Sequence, residues 1–138
     1  MMKKVFAIIS FLVLIAIAYG IYMFNKKTET LHKVKPEYTI TADQLYMEFN
    51  QDEKAALLKY EGKVIEVTGK IITVTQTDSI SNVLLSAENA LFGGVNCSFN
   101  ELENNLQNID IVSIKGQCQG YLTSVILNNC VMGKINEL

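Results

Sequence analysis

The sequence predicts an all-β barrel with accessory helices, carried behind an N-terminal apolar helix. Three observations lead there. The run from Val5 to Phe24 is apolar except for Ser10 and Gly20. From Gly62 onward apolar residues recur at every second position, the period of a half-buried strand, instead of every third or fourth. Five such segments follow one another, separated by turn residues and by one stretch with a helix-start signal. A chain of 138 residues is enough for one modest domain with these additions.

The first element is residues 1–27, an anchor with basic flanks. Twenty helical residues span roughly 30 Å, about the thickness of a bilayer core. A cleaved signal peptide has an apolar region of only about 7–15 residues. Here Ile21 to Phe24 continue past the small-residue stretch Ala18-Tyr19-Gly20, so an uncleaved span is expected. No cysteine lies near it to carry a lipid. Lys3 and Lys4 flank one end and Lys26, Lys27, Lys33 and Lys35 the other, so counting positive charges does not orient the span. A short basic N-terminus ahead of a lone span usually stays cytoplasmic, which puts residues 28–138 outside the cytoplasm in a single-pass arrangement. The membrane is thus the first expected partner.

Residues 28–40 are polar, contain the only Pro and the only His, and read as a linker. His32 has no Cys or carboxylate at metal-ligand spacing. Residues 41–60 read as a helical preface. Thr41-Ala-Asp-Gln44 fits a capping box, Leu45 and Phe49 share one face, and Asn50 is the expected break before a second short helix through Tyr60.

Residues 61–138 are the expected barrel. Lys63–Thr75 forms a long first strand, with Ile65, Val67, Gly69 and Ile71 on one face and Glu66, Thr68 and Lys70 on the other. Gly69 is a candidate bend or bulge where the strand turns a barrel corner. Asn82–Ser86 and Val95–Phe99 are the second and third strands. Asn100-Glu-Leu-Glu opens a short helix with Leu102 and Leu106 inward. Ile111–Gly120 and Ser124–Met132 are the fourth and fifth strands, turning at Tyr121-Leu122. A helix between the third and fourth strands of a five-stranded Greek-key barrel is the OB-fold order, with an SH3-like barrel or open sandwich as the alternative.

The runs Lys59–Gly69, Val95–Phe99, Val112–Gly120 and Val125–Cys130, together with Ala42-Asp-Gln-Leu45 and Asn50, resemble the bacterial tRNA-anticodon-like OB-fold family. The likeness covers roughly residues 41–132. It implies an OB fold in a small envelope or membrane-attached protein. It transfers no catalytic residue, and the family name by itself does not imply tRNA binding.

Parity turns Cys97 and Cys118 inward, and a bulge at Asn128-Asn129 would do the same for Cys130. Three thiols without a fourth ligand make a poor zinc site, and no metal or other cofactor is expected. In a hairpin turning at Tyr121-Leu122, Cys118 falls opposite about Val125. Cys130 then lies roughly 15 Å farther along at about 3.3 Å per residue, beyond the roughly 7 Å a disulfide tolerates. Cys97–Cys130 joins neighbouring OB strands and is the one feasible disulfide. The plainer reading makes all three small buried hydrophobes. Gly116 and Gly120 then let the barrel bend.

Glu66, Thr68, Lys70, Asn96 and Ser98 form the candidate binding face, with Asp78, Ser79, Tyr121 and Phe92 in nearby loops. From residue 61 onward there are four Lys against eight acids, and the chain has neither Arg nor Trp. That balance suits a protein, peptide or glycan partner in the envelope. A single-stranded nucleic-acid reader, the alternative, needs a basic groove and stacking rings. No nucleophile motif, phosphate-cradling loop or ligand cluster indicates an enzyme, and no catalytic residue is assigned.

Overall fold

The computed structural model describes residues 1–25, 31–91, 93–104, 106 and 110–133. Helix α1 runs Met2–Asn25. It is long and apolar enough to cross a membrane, and none of its residues is buried against the rest of the chain.

The segment expected to be a free linker is partly structured; its residues 28–30 lie outside those described. Leu31–Lys33 forms a single 3-10 turn with Leu31 buried, and Tyr38–Thr41 forms strand β1. Pro36 holds the preceding residue extended, and Tyr38-Thr-Ile-Thr41 is rich in β-formers. β1 lies parallel to the start of β2 (Val64–Thr77), Tyr38 opposite Ile65 and Thr41 opposite Thr68. The Lys115 ammonium donates to the Leu31 and Val34 carbonyls at 3.3 and 2.9 Å, and Lys63 pairs with Glu37 at 2.9 Å.

Helices α2 (Ala42–Gln51) and α3 (Glu53–Tyr60) follow. Thr41 caps α2 by accepting from the Gln44 N–H. The break falls at Asp52, two residues after the expected Asn50, because Asp52 serves both helices. Its N–H donates to the Glu48 carbonyl, and its carboxylate accepts from the Ala55 N–H at 3.0 Å. The Leu45 and Phe49 face of α2 is buried over one end of the barrel.

The barrel strands are β2, β3 (Ile80–Ser86), β4 (Gly94–Phe99), β5 (Ile111–Tyr121) and β6 (Val125–Met132). They close in the order β2-β3-β4-β6-β5-β2, antiparallel except for β4 against β6. This is the OB-fold order expected from the sequence. Ile65, Val67, Val83, Leu85, Val95, Ile114 and Leu127 fill the interior and are fully buried.

Long β2 serves two neighbours. Its first half, Val64–Lys70, pairs with β5, and its second half, from Ile71, pairs with β3. The register slips between Ile71 and Thr73, so the bulge expected at Gly69 lies at Ile72. Gly69 instead makes room for a helix. A Cβ there would lie 2.8 Å from the Cβ of Ala42, so its absence lets α2 settle on the strand.

Of the short helix expected between β4 and β5, the described Leu106 lies in a 3-10 turn, and the helix does not begin at Asn100. Asn100–Asn104 form bends and a turn. The Glu103 N–H donates to the Ser81 hydroxyl, and its carbonyl accepts from the Gln76 amide, so neighbouring side chains hold its backbone. Leu102 is exposed, not inward; Leu106 is buried. Residues 105 and 107–109 lie outside those described.

Candidate binding groove

Outward positions of β3 and β4, flanked by the second half of β2 and by β6, build a shallow groove. Thr75, Asn82 and Ser98 stand side by side in one row across the strands. Thr73, Leu84, Asn96 and Ile126 make the next. The Ser98 hydroxyl donates to Asn82 Oδ1 at 2.6 Å, fixing both side chains. Two concavities of about 520 and 440 Å³ meet at Asn82. The larger continues over Asn100, Gln117, Asn128 and Asn129; the smaller ends at Ser124. Asn100 donates to Asn129, and Gln117 donates to the Gly62 carbonyl at 3.0 Å. Among the described residues, no ionisable side chain lines either concavity.

The candidate face expected from the sequence divides. Asn96 and Ser98 lie in the groove. Glu66, Thr68 and Lys70 do not, because their half of β2 sits between β1 and β5. Glu66 accepts from the Ser113 hydroxyl there at 2.7 Å. Parity alone put both sets on one face; the bend and bulge of β2 separate them. Tyr121 is also removed from the face. Its ring stacks on Phe49 at 5.7 Å and meets Tyr46 edge-on at 6.0 Å, a packing role under α2. Phe92 lies outside the described residues. Asp78 and Ser79 form the exposed turn between β2 and β3.

The sequence reading missed Asn82, Asn100, Gln117, Asn128 and Asn129. Their signal was the density of amides at the polar phase of successive strands. It becomes a surface only once the register aligns those strands.

All three cysteines are buried free thiols in this structure. Asn129 has a φ of 59°, and the β4–β6 register slips beside it, so the bulge at Asn128-Asn129 turns Cys130 inward as expected. Cys130 donates to the Leu127 carbonyl at 3.4 Å. A hydrogen bond with Cys130, then burial, holds the Cys97 thiol well above its ordinary range. No bond joins the two sulfurs. Cys118 stands opposite Leu127, not Val125, because three residues separate the paired Tyr121 and Val125. Cys130 still lies three positions past its partner, so no disulfide joins Cys118 to Cys130. Gly116 faces this cluster: a Cβ there would lie 2.6 Å from Cys130 Sγ. Gly120, with φ of 141°, takes a backbone conformation that a side chain would strain. Among the described residues no group of three or more His, Cys, Asp or Glu is placed to hold a metal ion.

The family model described as tRNA_anti-like matches residues 1–132. The chain belongs to the tRNA_anti-like family. A crystal structure from Klebsiella pneumoniae, described as a putative nucleic acid-binding lipoprotein, shares the tRNA_anti-like fold seen here. The TM-score is 0.55 at 22% identity, over 70% of this chain and 91% of that one. No curated protein shows significant similarity to this tRNA_anti-like chain.

Proposed function

We propose that this protein is a membrane-held, non-catalytic OB-fold module of the cell envelope that receives a peptide, glycan or protein partner in the groove over β3, β4 and β6. The uncharged lining of that groove is the observation that carries the reading. Phosphate chains are gripped chiefly by cations whose neutralising contacts dominate affinity. Three lysines near the barrel are committed elsewhere: Lys59 pairs with Glu48, Lys63 with Glu37, and Lys115 holds two carbonyls. Exposed Lys70 lies on the half of β2 that pairs with β5, away from the groove. In this reading α1 anchors the chain with its N-terminus cytoplasmic and the barrel outside, which supplies envelope partners and little nucleic acid.

Photo-crosslinking in intact cells tests it. A benzophenone side chain at Asn82 or Asn128 is expected to trap one defined partner, and the same group at Lys70, on the β1–β5 side, is expected not to. Equal trapping at all three positions would refute the assignment of the face.

A second reading, single-stranded nucleic-acid binding, is favoured by one specific observation, the description of the Klebsiella pneumoniae lipoprotein. It predicts oligonucleotide binding by the full chain that weakens steeply with salt.

A further inference from the structure

We propose that the groove's ligand is an uncharged glycan. The proposal rests on the reading of this groove as the binding face and narrows its partner to one chemical class. Asn82, Asn96, Asn100, Gln117, Asn128 and Asn129 line the two concavities. An amide carries both a carbonyl acceptor and an NH₂ donor; Asn82, Asn100, Gln117 and Asn129 already use one of these within the protein. Sugar hydroxyls and acetamido groups also donate and accept at once, so a surface of amides matches them without leaving one type of partner in excess. A phosphate chain offers acceptors and negative charge. Against this lining it would lose hydration, gain no cation, and turn half of each amide toward a group of its own kind.

Strand topology separates glycan from peptide. An extended peptide is captured chiefly through main-chain hydrogen bonds to a free strand edge. Under the groove, β3, β4, β6 and β5 are each paired on both sides, so recognition falls to side chains. Side-chain amides are suited to a ligand whose own polar groups are peripheral hydroxyls. Ile80 and Leu84, one in each concavity, supply apolar contacts for the C–H faces of sugar rings. From β3 to β5 the groove crosses three inter-strand steps, about 14 Å at the usual strand spacing. That length receives several rings of a chain, not a single sugar. With a shallow floor and no aromatic among the described lining residues, one site is expected to bind weakly, with Kd on the order of 0.1–1 mM. Many anchored copies along one polymer would raise the retained fraction through avidity.

The test uses the full chain in phosphatidylcholine nanodiscs, presented to an immobilised panel of uncharged hexose and N-acetylhexosamine oligosaccharides, with a single-stranded oligonucleotide alongside. At least one neutral glycan should be retained, and a tenfold rise in salt should leave retention unchanged. The N96D/N128D variant keeps the shape of the side chains but removes two donors and adds charge; it should reduce retention about tenfold, from the loss of two hydrogen bonds. The K70Q variant, on the β1–β5 side, should bind as the parent does. Retention of no neutral glycan, retention indifferent to N96D/N128D, or retention of the oligonucleotide alone would overturn the proposal. If the panel fails while the benzophenone at Asn82 traps a defined protein or peptide, the groove stands as the binding face and only the glycan assignment falls. If both fail, the groove reading falls with it.

Discussion

At Gly116 a single missing methyl group decides how the cysteines pack. A Cβ there would press to 2.6 Å from Cys130 Sγ and 3.1 Å from Leu127 Cβ, while Cys130 is held from behind by its bulge and its bond to the Leu127 carbonyl. Gly116→Ala should therefore lower stability by about 1–3 kcal/mol, the usual cost of overpacking. Adding Cys130→Ala should recover part of the loss, and denaturant midpoints of the two single variants and the double variant measure the coupling. Cys118 gives a pH dependence. Burial pushes its thiol from an ordinary 9.0 up to about 11. Between those values the unfolded chain gives up the proton while the folded chain keeps it, so stability falls as pH rises through that window. Buried Tyr60 and Cys97 shift in the same direction. Urea midpoints should decline from pH 9 to 11, and less steeply in Cys118→Ala. The inward parity of Cys97 and Cys118 was readable from alternation alone. The neighbour each sulfur meets was not, because it depends on strand register.

At the level of elements, the docked segment between α1 and the barrel is the main departure from the sequence reading. Polar composition suggested a free linker, yet Leu31 is buried, β1 pairs with β2, and Lys115 gathers two carbonyls that precede β1. Composition reports how little a segment can bury by itself; it does not report a strand edge and an ammonium waiting elsewhere in the chain. Lys115→Met keeps the aliphatic stem and removes the donor. Faster amide exchange confined to residues 31–37, with the barrel core unchanged, is the expected result. An unchanged exchange rate there would show that β1 pairing alone holds the segment. The preface helices were more legible, because caps are local. Thr41 was assigned correctly, and the break moved by two residues because Asp52 both ends one helix and starts the next.

For the whole molecule, α1 and the neutral groove set the expected behaviour. The full chain should sediment with membranes and resist alkaline carbonate extraction, and deletion of residues 2–25 should release it to the aqueous fraction. Oligonucleotide binding in nanodiscs should be absent or weak at physiological salt; a tight, steeply salt-dependent association would instead favour the nucleic-acid reading. Hydropathy and alternation by themselves determined the N-terminal apolar helix, the preface and the five barrel strands, since these follow from periods a few residues long. Tertiary structure alone decided which outward residues share a surface. Glu66, Thr68 and Lys70 have the same polar phase as Asn96 and Ser98, but β2 bends and slips register at Ile72, and its two halves face different neighbours. Phase along a strand says inside or outside; only closure of the barrel says which outside.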